Sequence, residues 1–358
     1  MMPTAAHAAL QDTLGAHLDL SKSRLVTLAT LVIALASART VNLSHAAAQF
    51  GGSARHASNY RRLQRFFQYV RFDQAMIARL IVRMLTFERA RDLALDRTNW
   101  TLGRSEVNIL TLALVTRRFR VPLFFTLLDH RGNSTSEQRI ALVKRYLAVF
   151  DASSIRVLLA DREFCGEGWM QFLQEQSIPF VIRMRQDLRV VPLGTENRWR
   201  IDSLLRRPRK RQTFEAKLPE TGTPISIAAK RLRDGEWLIV AHNTGRGERA
   251  LNTYRRRWGI ECLFADLKRR GFNLEDTRLA DPEKLATLLG VLILALVWAY
   301  RCATDLMGKK AIKRKAHGRR EKSWFRLGLD TLRRWLFNEP ENAASAWLRT
   351  CPKPKANQ

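Results

Sequence analysis

Acidic residues and cysteines are scarce in this chain, and no apolar run is long enough to cross a bilayer. Asp and Glu number 33 against 62 Lys and Arg, a formal charge of +29 with pI near 11.2. Such a surface favours polyanionic partners, nucleic acid or an anionic membrane, and makes their binding depend steeply on salt. The four cysteines, at positions 165, 262, 302 and 351, form no CxxC pair and no His–Cys metal spacing. A disulfide framework and a zinc site are therefore not expected, and a reduced cytoplasmic setting is. The uncharged stretch Leu285–Tyr300 has 16 residues, short of the roughly 20 that a spanning helix needs. Leu25–Ala38 ends in Ala36-Ser37-Ala38 like a signal peptide, but Asp12, Asp19 and two histidines precede it instead of a positive n-region. Both stretches read as core helices, and no membrane partner is expected.

With 358 residues, 46% of them hydrophobic, the chain can hold two or three domains with a substantial core. Residues 1–90 read as helical and basic. In them Leu43–Phe50, a Gly51-Gly52-Ser53 turn and a basic stretch from Ala54 onward suit a helix-turn-helix, with Ser44 and Ser53 as caps. Arg61, Arg62 and Arg65 on the second helix are the expected DNA contacts of this region. Residues 91–185 change character: strands over Leu93–Asp96, Val107–Val115 and Val121–Leu128, a helix over Glu137–Phe150, a strand over Ile155–Ala160, a helix over Glu167–Glu175 and a strand over Phe180–Met184. That alternation is an α/β layer arrangement. Residues 186–236 read as a β-rich insertion carrying the basic run Arg206–Arg211, either a solvated loop or a phosphate contact. Residues 237–305 return to strand and helix, and 306–358 form a basic linker followed by a helix over Trp324–Phe337.

Three motifs carry chemistry. Leu93-Ala94-Leu95-Asp96-Arg97 and Val157-Leu158-Leu159-Ala160-Asp161-Arg162 are short apolar runs that each end in Asp-Arg. An Asp at the carboxyl end of a buried strand lies at the sheet edge where ligands bind, although either one alone also suits a turn or a helix cap. The third motif runs from Tyr254 to Lys268. On one helix Tyr254, Arg257, Glu261 and Lys268 would project within about 60° of each other. The arrangement suits a metal-binding carboxylate set among phosphate-binding groups, and equally a solvated helix face with an i,i+4 ion pair. Taken together, Asp96, Asp161 and Glu261 make a three-carboxylate metal site, and their oxygen donors favour Mg2+ or Mn2+ over zinc.

Asp96-Arg97-Thr98-Asn99-Trp100, Ala160-Asp161-Arg162-Glu163-Phe164 and Tyr254-x2-Arg257-x3-Glu261-x6-Lys268 together resemble the DDE-class transposases of bacterial insertion sequences. Within that class they are most similar to the group with the Y-R-E-K signature (the IS four family). The resemblance covers roughly residues 90–300. It implies a ribonuclease-H-like catalytic core interrupted by a β-rich insertion, preceded by an all-helical DNA-binding domain and followed by a helical C-terminal region. The 99 residues between Asp161 and Glu261 leave room for that insertion. It also implies cut-and-paste transposition by a homodimer on paired DNA ends: metal-dependent excision at terminal inverted repeats, then transfer of the 3′-OH ends into target DNA, with a hairpin as one route. Asp96, Asp161 and Glu261 would hold two Mg2+ ions. Arg257, Lys268 and Tyr254 would contact backbone phosphates, and Trp199 would stack on an extruded base. Trp100 and Trp258 are expected to pack beneath the site, while Arg97 and Arg162 either buttress the carboxylates or touch DNA. The alternatives are a metal-dependent nuclease without strand transfer, and a non-catalytic DNA-binding repressor derived from a transposase.

Overall fold

The computed structural model describes residues 4–85, 90–103, 105–206, 211–245, 247–316 and 318–349. Residues 207–210 of the basic run Arg206–Arg211, and Cys351, lie outside them. In chain order the elements are helices α1 (Ala5–Gly15), α2 (Lys22–Ala38), α3 (Leu43–Ala48), α4 (His56–Tyr69) and α5 (Gln74–Met84), then strands β1 (Arg91–Leu102), β2 (Ser105–Val115) and β3 (Arg120–Leu128). They continue with α6 (Ser136–Leu147), β4 (Ile155–Ala160), α7 (Glu167–Glu175), β5 (Phe180–Arg183), β6 (Arg189–Pro192), β7 (Trp199–Arg200) and α8 (Ile201–Leu204). The remainder is β8 (Arg211–Lys217), β9 (Pro224–Arg231), β10 (Trp237–His242), α9 (Gly247–Tyr254), α10 (Trp258–Leu267), α11 (Pro282–Met307), α12 (Trp324–Asn338) and α13 (Pro340–Leu348). The chain divides into two compact units, one of residues 1–87, 99–107 and 262–358, the other of residues 88–98 and 108–261. This division differs from five consecutive segments, because the two ends of the chain share one helical body and the expected insertion shares the core's sheet.

The helical unit is organised on α11. Asp281 caps its first turn by accepting from the Lys284 N–H at 2.9 Å, and Pro282 occupies a first-turn position where no amide donor is needed. Contrary to the expectation from its 16-residue uncharged stretch, the whole 26-residue helix is by length and composition long and apolar enough to cross a membrane, yet 94% of its most apolar window is buried inside the protein. It packs on α2, α5, α12 and α13, which fits a helix that is hydrophobic all round. Thr287 donates its hydroxyl to the Val70 carbonyl at 2.9 Å, and Trp298 donates its indole N–H to the Ala343 carbonyl at 3.0 Å. Backbone closeness fixes one crossing: a Cβ at Gly328 of α12 would overlap the Ala299 carbonyl of α11.

The helix-turn-helix expectation corresponds to α3 and α4, with different caps. Asn42, not Ser44, accepts from the first-turn amides of α3, and the N-cap residue of α4 is Arg55, whose side chain makes no capping hydrogen bond. The expected basic linker forms a bridge between Arg314 and Arg320, and α13 follows α12 without having been foreseen.

The second unit is a mixed α/β body on a ten-stranded sheet, ordered β3-β2-β1-β4-β5-β10-β9-β8-β6-β7. β1, β4 and β5 are parallel, and the pairs from β5 through β10, β9, β8 and β6 to β7 are antiparallel. β4 is apolar and buried at every position except Arg156, as expected of a parallel strand covered on both faces. The strands expected as a separate insertion extend this sheet: the whole of β10 pairs with β9, from Trp237↔Arg231 to His242↔Ser226. Helix α6 opens with a capping box, in which Thr135 and Gln138 satisfy each other's backbone amides.

Candidate active site

The register of β1 against β4 assembles the centre. Parallel pairing runs to Leu95↔Ala160, and the next residue on each strand is Asp96 and Asp161. β4 ends there. β1 continues to Leu102, so Asp96 lies within its strand and not at the strand's carboxyl end as the sequence suggested. It nevertheless lies where the parallel pairing stops, so the two carboxylates stand side by side at the sheet edge, the usual ligand position in open α/β sheets.

The motif from Tyr254 to Lys268 is not one continuous α-helix. α9 ends at Tyr254, Arg255–Arg257 form a 3-10 turn, and α10 starts at Trp258. The tighter turn keeps Tyr254, Arg257 and Glu261 together. Lys268 lies beyond the end of α10 and belongs to the helical unit, where its Nζ donates to the Asn99 carbonyl at 3.0 Å and pairs with Glu275 at 3.0 Å. Its ammonium also lies over the Trp100 ring, 5.4 Å from the centroid.

Arg257 is the hub of the site. Its Nη1 donates to Asp96 Oδ2 at 3.0 Å, and its Nη2 donates to Glu261 Oε1 and stands 4.0 Å from Asp161 Oδ2. The expected role of this residue was to grip a DNA phosphate; here its guanidinium sits among all three carboxylates, with only 11% of the side chain exposed. The physical reason is charge: three acids gathered at one edge need a cation, and a planar fork satisfies several oxygens at once. Tyr254 departs from its expected role in the same way. It is buried, and its hydroxyl donates to Asp161 Oδ1 at 2.9 Å instead of facing solvent.

The two aspartates titrate in opposite directions. Burial pushes the Asp96 carboxyl up to about 6, against the Arg97 N–H and the Arg257 guanidinium, with Glu163 and Asp161 adding to the rise. Burial acts the same way on Asp161, but there the Arg162 N–H, Arg257, the Tyr254 hydroxyl and Arg183 outweigh it and hold the carboxyl below its ordinary value. Burial raises the Tyr254 phenol, with Asp161 adding to the effect, so it stays a neutral donor.

The Arg97 side chain pairs through Nε with Glu163 at 3.2 Å and donates from its two Nη atoms to Asn108 and Asn133, while its backbone N–H donates to Asp96 Oδ1 at 2.8 Å. Arg162 is exposed in a 3-10 turn. Trp100 is buried as expected, whereas Trp258 is 62% exposed, a correction that follows from its place at the outer start of α10. Trp199, on the short strand β7, is 45% exposed. In the helical unit Arg61 and Arg65 are exposed, but Arg62 turns inward and donates to the Thr27 hydroxyl at 2.8 Å, which removes it from the free face of α4. Glu163 and Arg183, which bear on the carboxylates, gave no signal of their own in the sequence.

The donor set suits a hard divalent cation, being all oxygen, acidic and partly buried. Among the described residues no three Asp, Glu, His or Cys side chains stand close enough to grip one ion as they are. The cation already among the carboxylates is the Arg257 guanidinium, which stands in for the positive charge the cluster requires. The residues therefore fit a hard divalent cation in the chemistry of their donors, not in their present spacing.

No match was found among curated proteins. A family model described as the transposase DDE domain matches residues 88–298, more than half of the chain and all of the site just described, and the chain therefore belongs to the DDE transposase family.

Proposed function

We propose that this protein is the transposase of an insertion element, in the group with the Y-R-E-K signature, and that it excises the element at its terminal inverted repeats and joins the freed 3′-OH ends to target DNA. The observation that carries the reading is the convergence of Asp96, Asp161 and Glu261 on one guanidinium. The order β3-β2-β1-β4-β5, with β1, β4 and β5 parallel, supports a ribonuclease-H-like core. The charge of +29 supports duplex DNA as the partner.

In this reading the three carboxylates hold two Mg2+ ions, with Mn2+ able to replace them. When bound, these supply an activated water or 3′-hydroxyl as nucleophile and stabilise the leaving 3′-oxygen. Tyr254 orients Asp161 by its hydrogen bond. Arg257 leaves the carboxylates and turns its fork to a backbone phosphate, and Lys268 holds a second phosphate as a point charge. Residues 1–90, through Arg61 and Arg65 of α4, recognise the element's ends. Two copies pair those ends, in the cytoplasm on the nucleoid. Trp199 and Trp258 each expose enough ring to stack on an extruded base.

The test is an in vitro reaction of parent and Glu261→Gln with Mg2+ on a plasmid that carries the element's own ends. Excised linear element and joined products from the parent, both absent with the variant, are expected. Nicking without joining points to a nuclease, and end binding without cleavage points to a repressor.

A further inference from the structure

A second basic site lies on the catalytic unit, away from the three carboxylates. A cleft of about 430 Å3 is lined by Arg156 of β4, Thr244 and Gly245 after β10, Arg249 and Thr253 of α9, and Arg256 of the 3-10 turn. Two of these arginines share one buried acid: Asp92 is 2% exposed, with one carboxylate oxygen accepting from Arg156 Nε at 2.6 Å and the other from Arg256 Nη1 at 2.7 Å. One arginine would balance a buried carboxylate; two leave the cluster positive and keep both forks in fixed orientations. Arg156 and Arg256 remain 58% and 49% exposed, so their other N–H groups face solvent. Arg249 adds a third guanidinium that makes no hydrogen bond or ion pair among the described residues.

Position in the chain ties this cleft to the catalytic edge. Arg249, Thr253 and Arg256 are spaced as i, i+4 and i+7, so they share one flank of the helical run. Tyr254 and Arg257 of the same run turn to the carboxylates instead. On β1, Asp92 precedes Asp96 by four residues, about 13 Å of extended strand. That reach is a few base pairs of duplex at roughly 3.4 Å each.

We propose that the cleft between Arg156, Arg249 and Arg256 is a phosphate-binding subsite that takes a backbone phosphate of duplex DNA a few base pairs from the reacting phosphate. The inference rests on the reading of the chain as a DNA-processing enzyme. Its chemistry is that of planar forks whose orientation is set by a buried acid, the arrangement suited to bidentate contact with phosphate oxygens. The subsite positions DNA and carries no sequence information.

The test uses the full chain without divalent metal and a labelled duplex, with binding followed by fluorescence anisotropy across a range of salt. Arg156→Gln/Arg249→Gln keeps Arg256 on Asp92, and a melting curve checks that it folds. Arg249→Gln alone, at a side chain that makes no hydrogen bond or ion pair among the described residues, serves if the double variant does not fold. Each lost phosphate contact lowers the slope of log K against log salt by about 0.9. A decrease of about one to two is expected for the double variant and about one for the single. An unchanged slope overturns the proposal even if affinity shifts. Stabilisation of the parent by inorganic phosphate, lost in the variant while the DNA slope is unchanged, reassigns the cleft to a small anion and also overturns it. A parent that shows no salt-dependent duplex binding removes the DNA-enzyme reading itself, a different failure.

Discussion

The Arg257 guanidinium donates to Asp96 at 3.0 Å and stands among Asp96, Asp161 and Glu261, where under the proposed function it would compete with a bound cation. It is both a competitor for that position and the counter-ion that lets three acids coexist at one sheet edge. Arg257→Gln separates the two roles. Without the competitor, Mn2+ affinity of the DNA-free protein is expected to rise about tenfold, equivalent to about 1.4 kcal/mol. Without the counter-ion, metal-free stability is expected to fall by about 3 kcal/mol, the lower end for removing one partner of a buried ion pair. Titration calorimetry and metal-free melting curves read both effects. Weaker metal binding by the variant would mean that Arg257 shapes the carboxylates for the ion instead of excluding it.

Asp96 gives the site a pH dependence. Its carboxyl in the folded protein is raised to about 6 from an ordinary 3.8. A raised acid favours the folded state while protonated, so its contribution is fully present below the unfolded value and is lost as pH climbs through about 6. In metal-free protein this amounts to at most about 3 kcal/mol between those two pH values. Asp96→Asn cannot titrate, so parent and variant should diverge in stability as pH rises through this window and run parallel above it. Mn2+ needs the ionised carboxylate, so its affinity for the parent should rise up to about tenfold per pH unit below 6 and level off above. Parallel stability curves throughout would remove Asp96 as the titrating group.

Legibility from sequence varied with the range of the interaction. The two Asp-Arg motifs were readable because continuous apolar runs mark buried strands, and β1 and β4 are adjacent and parallel, with Asp96 and Asp161 in register. The apolar stretch Leu285–Tyr300 was readable as core because of its length, and it lies within α11. Partner choice was not readable. Periodicity places Arg257 on a helix face but cannot say that it turns to Asp96, 161 residues away in the chain. Nor can it say that Arg62 turns inward to Thr27, or that Lys268 reaches Asn99. The strands within residues 186–236 looked like a separate module because their turns are rich in Pro, Gly and charge; hydrogen bonding from β9 to β10 joins them to the core sheet, and such pairing leaves no local mark.

Tyr254 distinguishes a positioning role from a DNA contact. Its hydroxyl is spent on Asp161 at 2.9 Å inside the protein. Tyr254→Phe keeps the ring and removes one charge-assisted hydrogen bond, about 1–2 kcal/mol. Mn2+ affinity and strand cleavage are expected to fall roughly five- to twentyfold, while duplex affinity and its salt slope remain at parental values. A reduced slope would instead return the hydroxyl to a backbone phosphate.

The helical unit gives a control that leaves the chemistry intact. A Cβ at Gly328 would overlap the Ala299 carbonyl and press on Ala303, so α12 can approach α11 this closely only with glycine at that position. The obstacle is backbone in the middle of a buried 26-residue helix, which cannot swing aside as a long side chain would. Gly328→Ala therefore forces the two helices apart along a contact that also buries Phe325, Leu329 and Leu332. Overpacking of this kind costs about 1–3 kcal/mol, and separating well-packed apolar side chains adds to it. Asp96, Asp161, Arg257 and Glu261 all belong to the other compact unit. The melting transition that reports the helical unit should fall by several degrees, with Mn2+ affinity below that transition unchanged. Equal loss of metal binding at low temperature would show that the two units do not fold independently enough for stability and site to be varied apart.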